Sequence, residues 1–313
     1  MKNETKVAFF GTSDRSVPIL ETLNQEFNLV LCVTKSASKI GRKQELKETQ
    51  VKKWAKDNKI NHITISSLKE HDLTHVIEHL NSSKPDYIIV ADFSLIIPND
   101  LLDQFPNKFI NIHFSLLPKY RGASPVQFAL LNGDETTGIT YHLVHEKLDR
   151  GAILSQVGYR IVGNETSGDL YTTLFEIAAQ KLARITNEYA SGDIKPREQH
   201  EKDATYTFSQ SHPKSTHIYK EDAQINWKVG AEQIERAIRA YNPWPIAWTT
   251  LEDLENAKCL SGGKVKFKPH IDKNLKVKIY KSKFVGNKLE VKELQIEGKN
   301  RLTWPEFQNG YLV

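Results

Sequence analysis

Three residues of the chain have side chains that could together transfer an acyl group: an amide, an imidazole and a carboxylate. Asn111 and His113 lie two positions apart in the apolar run FINIHF, so on a β-strand both side chains would point to the same face. Asp149 lies in the segment LDRG, where the glycine predicts a turn. Such a set can stabilise an oxyanion and move a proton through a tetrahedral intermediate. Each feature alone is more often structural, as a polar strand end or a turn residue.

The segments around these residues predict an α/β fold. Across residues 1–189, short β-branched apolar runs alternate with amphipathic helical patterns, as in βαβ units around a mostly parallel sheet. The clearest predicted strands are KVAFFG at 6–11, NLVLCVT at 28–34, DYIIVAD at 86–92 and FINIHF at 109–114. Ligands of open α/β sheets bind at the carboxyl ends of the strands. We therefore expect the loop SLLPKYRGASP, which follows FINIHF, to border the site.

The pattern changes further along the chain. Residues 190–210 are polar and contain Gly192 and Pro196, so we predict an exposed linker. Residues 211–313 contain one helical stretch, AEQIERAIRA, followed by the alternating segments KVKFKPHI, LKVKIYKSKFV and KLEVKELQI. Such segments are typical of a small β-barrel or sandwich. The chain is therefore predicted to have a catalytic α/β domain over 1–189, a linker and a smaller β domain over 211–313.

The composition excludes several classes of protein. With 39% hydrophobic and 26% charged residues over 313 positions, the chain is a soluble globular mixture rather than a disordered one. No apolar run approaches the ~18 residues of a membrane helix, and the N-terminus lacks the pattern of a signal or transit peptide. Cys32 and Cys259 are too few and too far apart for a disulfide framework or a zinc site. We expect a cytoplasmic protein with no membrane partner and no bound metal.

Positive charge is concentrated in the C-terminal part. Residues 211–313 hold 18 lysines and arginines against 12 acidic residues, whereas the rest of the chain holds 25 against 26. Within 261–283, eight lysines accompany a single acid, Asp272. A basic domain attached to a neutral one suggests a polyanionic partner. The alternative is a lysine-rich strand face that is simply solvated.

Several motifs carry a resemblance to a known family. The stretch NIHFSLLPKYRGASPVQFALLNGDETTGIT, followed by LDRG, resembles the formyltransferases that use 10-formyltetrahydrofolate, whose hallmark is N-x-H-x-SLLP-x-x-x-G with a downstream D-x-G. EDAQINWKVGAEQIERAIRAYNPWPIAWT resembles the start of the C-terminal domain in those members that formylate methionyl initiator tRNA. FFGTS, PDYIIVADFSLIIP and GKNRLTWPEFQNG also match, so the resemblance spans nearly the whole chain. It implies a Rossmann-like catalytic domain, a linker and an OB-like β-barrel that helps hold tRNA.

The resemblance also implies roles for the first three residues. Asn111 and a charged His113 would donate hydrogen bonds to the formyl oxygen, while Asp149 would orient His113 and accept the amine proton. The formyl donor would be 10-formyltetrahydrofolate, a cosubstrate, and no metal is implied. We expect the folate to lie along two segments, Ser115, Leu116, Leu117 and Pro118 in the loop, and Ile89, Val90 and Asp92 at a strand end.

Initiator methionyl-tRNA is the second expected partner. Its predicted contacts are Arg42 and Lys43 in the loop TKSASKIGRK, and Lys264, Lys266, Lys268, Lys276 and Lys278 on two predicted strands. The loop keeps only Thr34, Gly41 and Arg42 of the family pattern, although it remains basic. Tyr120 and Arg121, which follow SLLP, are expected to face the substrate rather than the core.

Other functions remain open at this stage. An enzyme that formylates an amino sugar on a nucleotide carrier would share both domains. Enzymes that formylate a glycinamide intermediate of purine synthesis have a single domain, so they fit less well. An RNA-binding protein that has lost catalysis is a third alternative, against which the intact Asn111, His113 and Asp149 argue.

Overall fold

The computed structural model of the protein describes residues 4–40 and 45–313. The chain forms two compact units. The first unit consists of Met1–Arg121, Gly138–Tyr159 and Tyr171–Thr205. The second unit consists of Gly122–Thr137, Arg160–Leu170 and Tyr206–Val313. Arg42 and Lys43, two of the predicted tRNA contacts, lie outside the described residues.

The larger sheet has seven strands in the order β5-β2-β1-β6-β7-β8-β9. Strands β5, β2, β1, β6 and β7 pair in parallel, and β8 runs antiparallel to β7. This arrangement confirms the predicted Rossmann-like fold with a mostly parallel sheet. The strands across the described ranges are β1 (Lys6–Gly11), β2 (Asn28–Lys35), β3 (Ser38–Ile40), β4 (Glu45–Lys47), β5 (His62–Ile65), β6 (Tyr87–Ala91), β7 (Phe109–His113), β8 (Thr136–Leu143), β9 (Ile153–Arg160), β10 (Trp248–Thr250), β11 (Lys276–Val285), β12 (Lys288–Ile296) and β13 (Arg301–Thr303).

Local sequence signals mark the start of some of the helices. The side chain of Thr49 accepts a hydrogen bond from the backbone nitrogen of Lys52 and so caps α2, and Thr303 with Glu306 forms a capping box at α9. The helices are α1 (Val17–Glu26), α2 (Gln50–Asp57), α3 (Glu70–Ser83), α4 (Asn99–Gln104), α5 (Pro125–Asn132), α6 (Ser167–Ser191), α7 (Ala231–Ala240), α8 (Leu251–Asn256) and α9 (Trp304–Tyr311). None of these helices is long and apolar enough to cross a membrane.

The core of the first unit surrounds its central parallel strands. Residues 7–10 of β1 are completely buried because a central parallel strand is covered on both faces. The ring of Phe10 meets those of Phe93 and Phe109 edge to face, at centroid distances of 5.4 and 5.6 Å. Gly11 pairs with Ala91, so β1 and β6 end at the same edge of the sheet. This edge is the one at which the sequence predicts the site.

A separate antiparallel sheet of four strands lies in the second unit, in the order β10-β11-β12-β13. Strands β11 and β12 coincide with two of the three alternating segments predicted there. The third prediction, a strand over KVKFKPHI, is wrong. An isolated bridge joins its Phe267 to Leu312, and the segment ends in a turn that includes Pro269. Pro269 lacks the N–H that a continued ladder would need, and the alternation instead reflects burial of Val265 and Phe267 against the core of this unit.

Candidate active site

The register between β7 and β8 places a histidine beside Asn111. The two strands are antiparallel, with Asn111 directly opposite His142 and His113 opposite Thr140. Residues directly opposite each other in such a pair present their side chains on the same face. The Nδ2 atom of Asn111 lies 3.1 Å from Nε2 of His142. His142 is therefore a member of the site that sequence reasoning missed.

The protonation of His142 follows from its surroundings. Burial lowers the pKa of this imidazole to about 4, although the carboxylate of Asp149 acts in the opposite direction. The ring is therefore neutral at physiological pH. Its Nδ1 lies 2.9 Å from the carbonyl oxygen of Leu143, which only accepts, so Nδ1 carries the proton and Nε2 is the acceptor. Nε2 then receives one N–H of Asn111, and this fixes the orientation of the Asn111 amide.

His113 lies between two acceptors. Its Nε2 is 2.9 Å from the carbonyl oxygen of Tyr120, and its Nδ1 is 3.6 Å from Oδ2 of Asp149. The side chain is only 7% exposed. The Tyr120 carbonyl only accepts, so Nε2 donates to it, while the contact of Nδ1 with the Asp149 carboxylate is longer than a hydrogen bond. Both ring nitrogens therefore face protein acceptors in this structure.

Asp149 faces both histidines from a tight turn. Its second carboxylate oxygen, Oδ1, lies 3.7 Å from Nε2 of His142, and the side chain is 11% exposed. The residue has a φ of 51°, in the left-handed region, which aspartate tolerates better than most residues. The structure thus brings Asn111, His113 and Asp149 together, with His142 among them. A nearly buried carboxylate, imidazole and amide form a site that can stabilise a developing negative charge and accept a proton.

The residues predicted to bind folate lie at two depths. Ile89 and Val90 are buried in β6, and Val90 pairs with Asn111. Asp92 follows this strand, is partly exposed and forms an ion pair with Arg15 at 2.9 Å. Of these three residues, only Asp92 can meet a ligand with its side chain. Ile89 and Val90 instead pack in the core next to the strand that carries Asn111.

The SLLP loop is tied to the neighbouring strands. Thr140 donates its hydroxyl to the carbonyl of Ser115 at 2.6 Å and accepts from the backbone nitrogen of Leu117 at 3.1 Å. Ser115 and Leu117 are buried, whereas Leu116 and Pro118 are partly exposed. The loop is therefore rigid at two of its four residues and open at the other two, which can form an apolar wall.

The expectation that Arg121 faces the substrate is wrong. Its side chain is completely buried and donates to Glu201 and to Gln199. Tyr120 is also buried and uses its backbone nitrogen to donate to the Thr205 hydroxyl at 2.8 Å. These partners come from a segment about eighty residues further along the chain, so a local pattern gives no sign of them.

The predicted tRNA lysines divide into three groups. Lys276 and Lys278 are exposed on β11, where they alternate with the fully buried Val277 and Ile279. Lys264 and Lys266 are exposed in the segment KVKFKPHI and line a cavity of about 480 Å³. Lys268 differs from the others, because its Nζ donates to the carbonyls of Asn309 and Gly310 at the end of α9.

Comparison with known proteins identifies the class of protein that this fold and site define. The sequence model described as formyl transferase matches residues 5–186, and the model described as formyl transferase, C-terminal domain, matches residues 217–312. The chain therefore belongs to the formyl transferase family. Enzymes of this family take the formyl group from formyl-tetrahydrofolate donors.

Individual proteins of known name are also similar to this chain. The methionyl-tRNA formyltransferase of Bacillus thuringiensis subsp. konkukian (strain 97-27) is 35% identical over 311 residues, which cover 97% of this chain and 95% of the relative. The solved methionyl-tRNA formyltransferase from Clostridium thermocellum matches with a TM-score of 0.57 at 16% identity, covering 93% of this chain and 98% of that one. An N-formyltransferase from Helicobacter canadensis, solved with folinic acid and dTDP-3-aminofucose, matches with a TM-score of 0.57 at 22% identity, covering 89% and 87%. These two structures share the fold.

The buried neutral histidine predicts a pH dependence of stability. The pKa of His142 is about 4 in the folded protein and near 6.5 in the unfolded chain, so the unfolded chain binds a proton first as the pH falls. The free energy of unfolding is therefore unaffected by this group above pH 6.5 and decreases as the pH falls from 6.5 towards 4. Between pH 7 and pH 5 the wild type should lose about 2 kcal/mol more unfolding free energy than His142→Gln. Urea unfolding at the two pH values measures this difference. His200→Gln, at an exposed position, should lose as much as the wild type; equal losses in all three proteins would contradict the prediction.

Proposed function

We propose that this protein transfers the formyl group of 10-formyltetrahydrofolate to the α-amine of methionyl initiator tRNA, giving formylmethionyl-tRNA for translation initiation. The observation that carries the proposal is the Asn111, His113 and Asp149 cluster. It lies at the carboxyl edge of the sheet in a chain whose relatives, at 35% identity over nearly the full length, are methionyl-tRNA formyltransferases.

The reaction needs stabilisation of a negative charge. The methionyl amine attacks the formyl carbon, a C–N bond forms, and the formyl oxygen becomes an oxyanion. Asn111 has two amide N–H groups, of which one is held by His142, and the other would donate to this oxyanion. The fixed orientation of the Asn111 amide means that its donor is already in place when the charge develops. The His113 imidazolium would stabilise the same charge through the electrostatic field.

The reaction also moves a proton. The attacking amine must lose one proton, and the folate nitrogen must gain one when its bond to the formyl carbon breaks. In this proposal the Asp149 carboxylate, which lies beside His113, accepts the amine proton directly or through one water molecule, and the same proton then passes from Asp149 to the leaving folate nitrogen. His113 and Asp149 thus act as a pair, in which Nδ1 of the ring lies 3.6 Å from the carboxylate.

The folate would lie along the open side of the SLLP loop. Leu116 and Pro118 offer partly exposed apolar surface, and Asp92 offers a carboxylate at the neighbouring strand end. The buried residues Ser115 and Leu117, with Ile89 and Val90 beneath them, would hold these contacts in position.

One assay distinguishes this function from formylation of an amino sugar. Purified protein is incubated with labelled 10-formyltetrahydrofolate and, in separate reactions, with methionyl initiator tRNA or with dTDP-linked amino sugars. We expect label in the tRNA alone. Label in the sugars alone would reject the proposal, and so would the absence of transfer to the tRNA.

The site predicts a characteristic kinetic pattern. Replacement of Asn111, His113 or Asp149 by alanine should lower kcat by about 10²- to 10³-fold each, as removal of one oxyanion donor does. Because the residues act together, each double variant should lose far less than the product of its single losses. Steady-state kinetics at saturating substrates test this, with His200→Ala as a control at an exposed position. Near-normal kcat in His113→Ala would contradict the mechanism.

The lysine groups predict different effects on tRNA binding. Lys266→Ala and Lys276→Ala should weaken tRNA binding and reduce the slope of log affinity against log salt by about one each, because each removes one phosphate contact. Saturated turnover should survive both changes. Lys268→Ala is the matched control: its ammonium is held by α9, so its loss should leave the salt slope unchanged.

Arg42 is expected to act on catalysis as well as on binding, since the sequence places it in a basic loop before the site. Arg42→Ala should therefore lower the rate of single-turnover formylation at saturating tRNA. Either a silent Arg42→Ala or unchanged tRNA affinity in the lysine variants would contradict this two-part binding of tRNA.

A further inference from the structure

The side chain of Gln199 connects the turn that carries Asp149 to a buried arginine. Its Nε2 lies 2.8 Å from the backbone carbonyl oxygen of Asp149 and 2.8 Å from that of Gly151. Its Oε1 lies 3.2 Å from Nε and 2.8 Å from Nη2 of Arg121. All four residues belong to the first unit. One amide thus bridges two segments and uses both of its N–H groups and its oxygen.

The orientation of this amide is fixed from both ends. A guanidinium only donates hydrogen bonds, so the oxygen of Gln199 must face Arg121. Backbone carbonyls only accept, so the nitrogen must face the turn. A flipped amide would set donors against donors and acceptors against acceptors. The bridge therefore has a single favourable arrangement.

The side chain of Arg121, to which Gln199 is hydrogen-bonded, is itself fixed in position. It is 0% exposed, and its Nη1 and Nη2 lie 3.2 and 2.8 Å from the carboxylate oxygens of Glu201. The hydrogen bond from Arg121 is the main reason why the pKa of Glu201 is lowered, so this carboxylate stays charged. Arg150 adds a second ion pair to Glu201 at 3.0 Å, and the backbone nitrogen of Arg121 donates to Thr205 at 2.8 Å. A buried guanidinium with these partners cannot shift without losing several of them.

The turn that carries Asp149 has a backbone conformation that contacts with other segments must stabilise. Asp149 has a left-handed φ of 51°, a conformation that costs an L-residue free energy unless the surroundings enforce it. The aspartate side chain is short, so the backbone position largely determines where its carboxylate lies. That carboxylate must stay within reach of His113, from whose Nδ1 it is separated by 3.6 Å.

We propose that Gln199 is a positioning residue for formyl transfer. By donating to the carbonyls of Asp149 and Gly151 it holds the turn, and the turn holds the Asp149 carboxylate against His113. The inference rests on the proposed function, because it assigns Asp149 a part in the reaction. Gln199 itself touches no reacting atom in this scheme. It acts through the backbone of a residue that does.

Two substitutions separate positioning from a merely structural role. Gln199→Glu keeps an oxygen acceptor for Arg121 but has no N–H to donate to the turn when ionised. Gln199→Met removes both functions at similar size. Gln104→Met is the matched control, because Gln104 is exposed on α4 and its Nε2 donates to a carbonyl of its own helix. The full-length proteins are assayed for kcat and for KM of both substrates, and their thermal transitions are recorded.

The expected result is a loss of kcat without a loss of binding. Gln199→Glu should unfold near the wild-type temperature, keep both KM values and lose about 10- to 100-fold in kcat, as a small misplacement of a catalytic group does. Gln104→Met should match the wild type throughout. The inference is overturned if Gln199→Glu keeps its kcat, if only a KM rises, or if Gln199→Glu loses its cooperative thermal transition.

A second measurement does not depend on the substrate. Hydrogen exchange of the backbone amides of residues 147–152 should be faster in Gln199→Glu than in the wild type, because the turn has lost two hydrogen bonds. If wild-type protein fails to formylate methionyl-tRNA, the proposed function falls, and unchanged exchange in this segment would then overturn the positioning inference separately.

Discussion

The antiparallel pairing of β8 against β7 sets the geometry on which the rest of the site depends. It puts His142 directly opposite Asn111, where burial lowers the pKa of the imidazole and keeps the ring neutral. A neutral ring whose Nδ1 proton is committed to Leu143 can only accept at Nε2, and this acceptor fixes the Asn111 amide. The parallel strands β6 and β7 end at one edge of the sheet, but the antiparallel pairing of β8 with β7 determines which way the Asn111 donor points.

Much of the fold can be predicted from the sequence, because periodicity is a local property. The helix α1 coincides with the pattern VPILETLNQE, and β1 coincides with KVAFFG. The strand predicted over KVKFKPHI is wrong because alternating burial needs only one apolar surface, whereas a strand also needs a partner for its N–H groups. The sequence pattern indicates that a segment packs against an apolar surface, but it does not indicate whether a partner strand is present.

The site is predictable only in part, for a related reason. Asn111 and His113 lie within one strand, so their shared face follows from their spacing. The place of His142 depends on the register between two strands, and the burial of Arg121 depends on Gln199 and Glu201, which are 78 and 80 residues away. The segment that supplies these partners is polar, and a polar segment without periodicity is typical of an exposed linker. Its hydrogen bonds with Arg121 and with the turn that carries Asp149 could not be predicted from composition.

The alternation along β11 has a consequence for how this protein can evolve. The fully buried Val277 and Ile279 carry the packing of that strand, while Lys276 and Lys278 are exposed on its other face. Replacement of the outward residues costs the fold little, because surface substitutions rarely change stability by more than about 0.5 kcal/mol. Selection can therefore adjust the charge of this face one residue at a time, while the apolar residues that preserve the sheet stay the same. Related proteins can then differ in the positive charge of this face and still share the same fold.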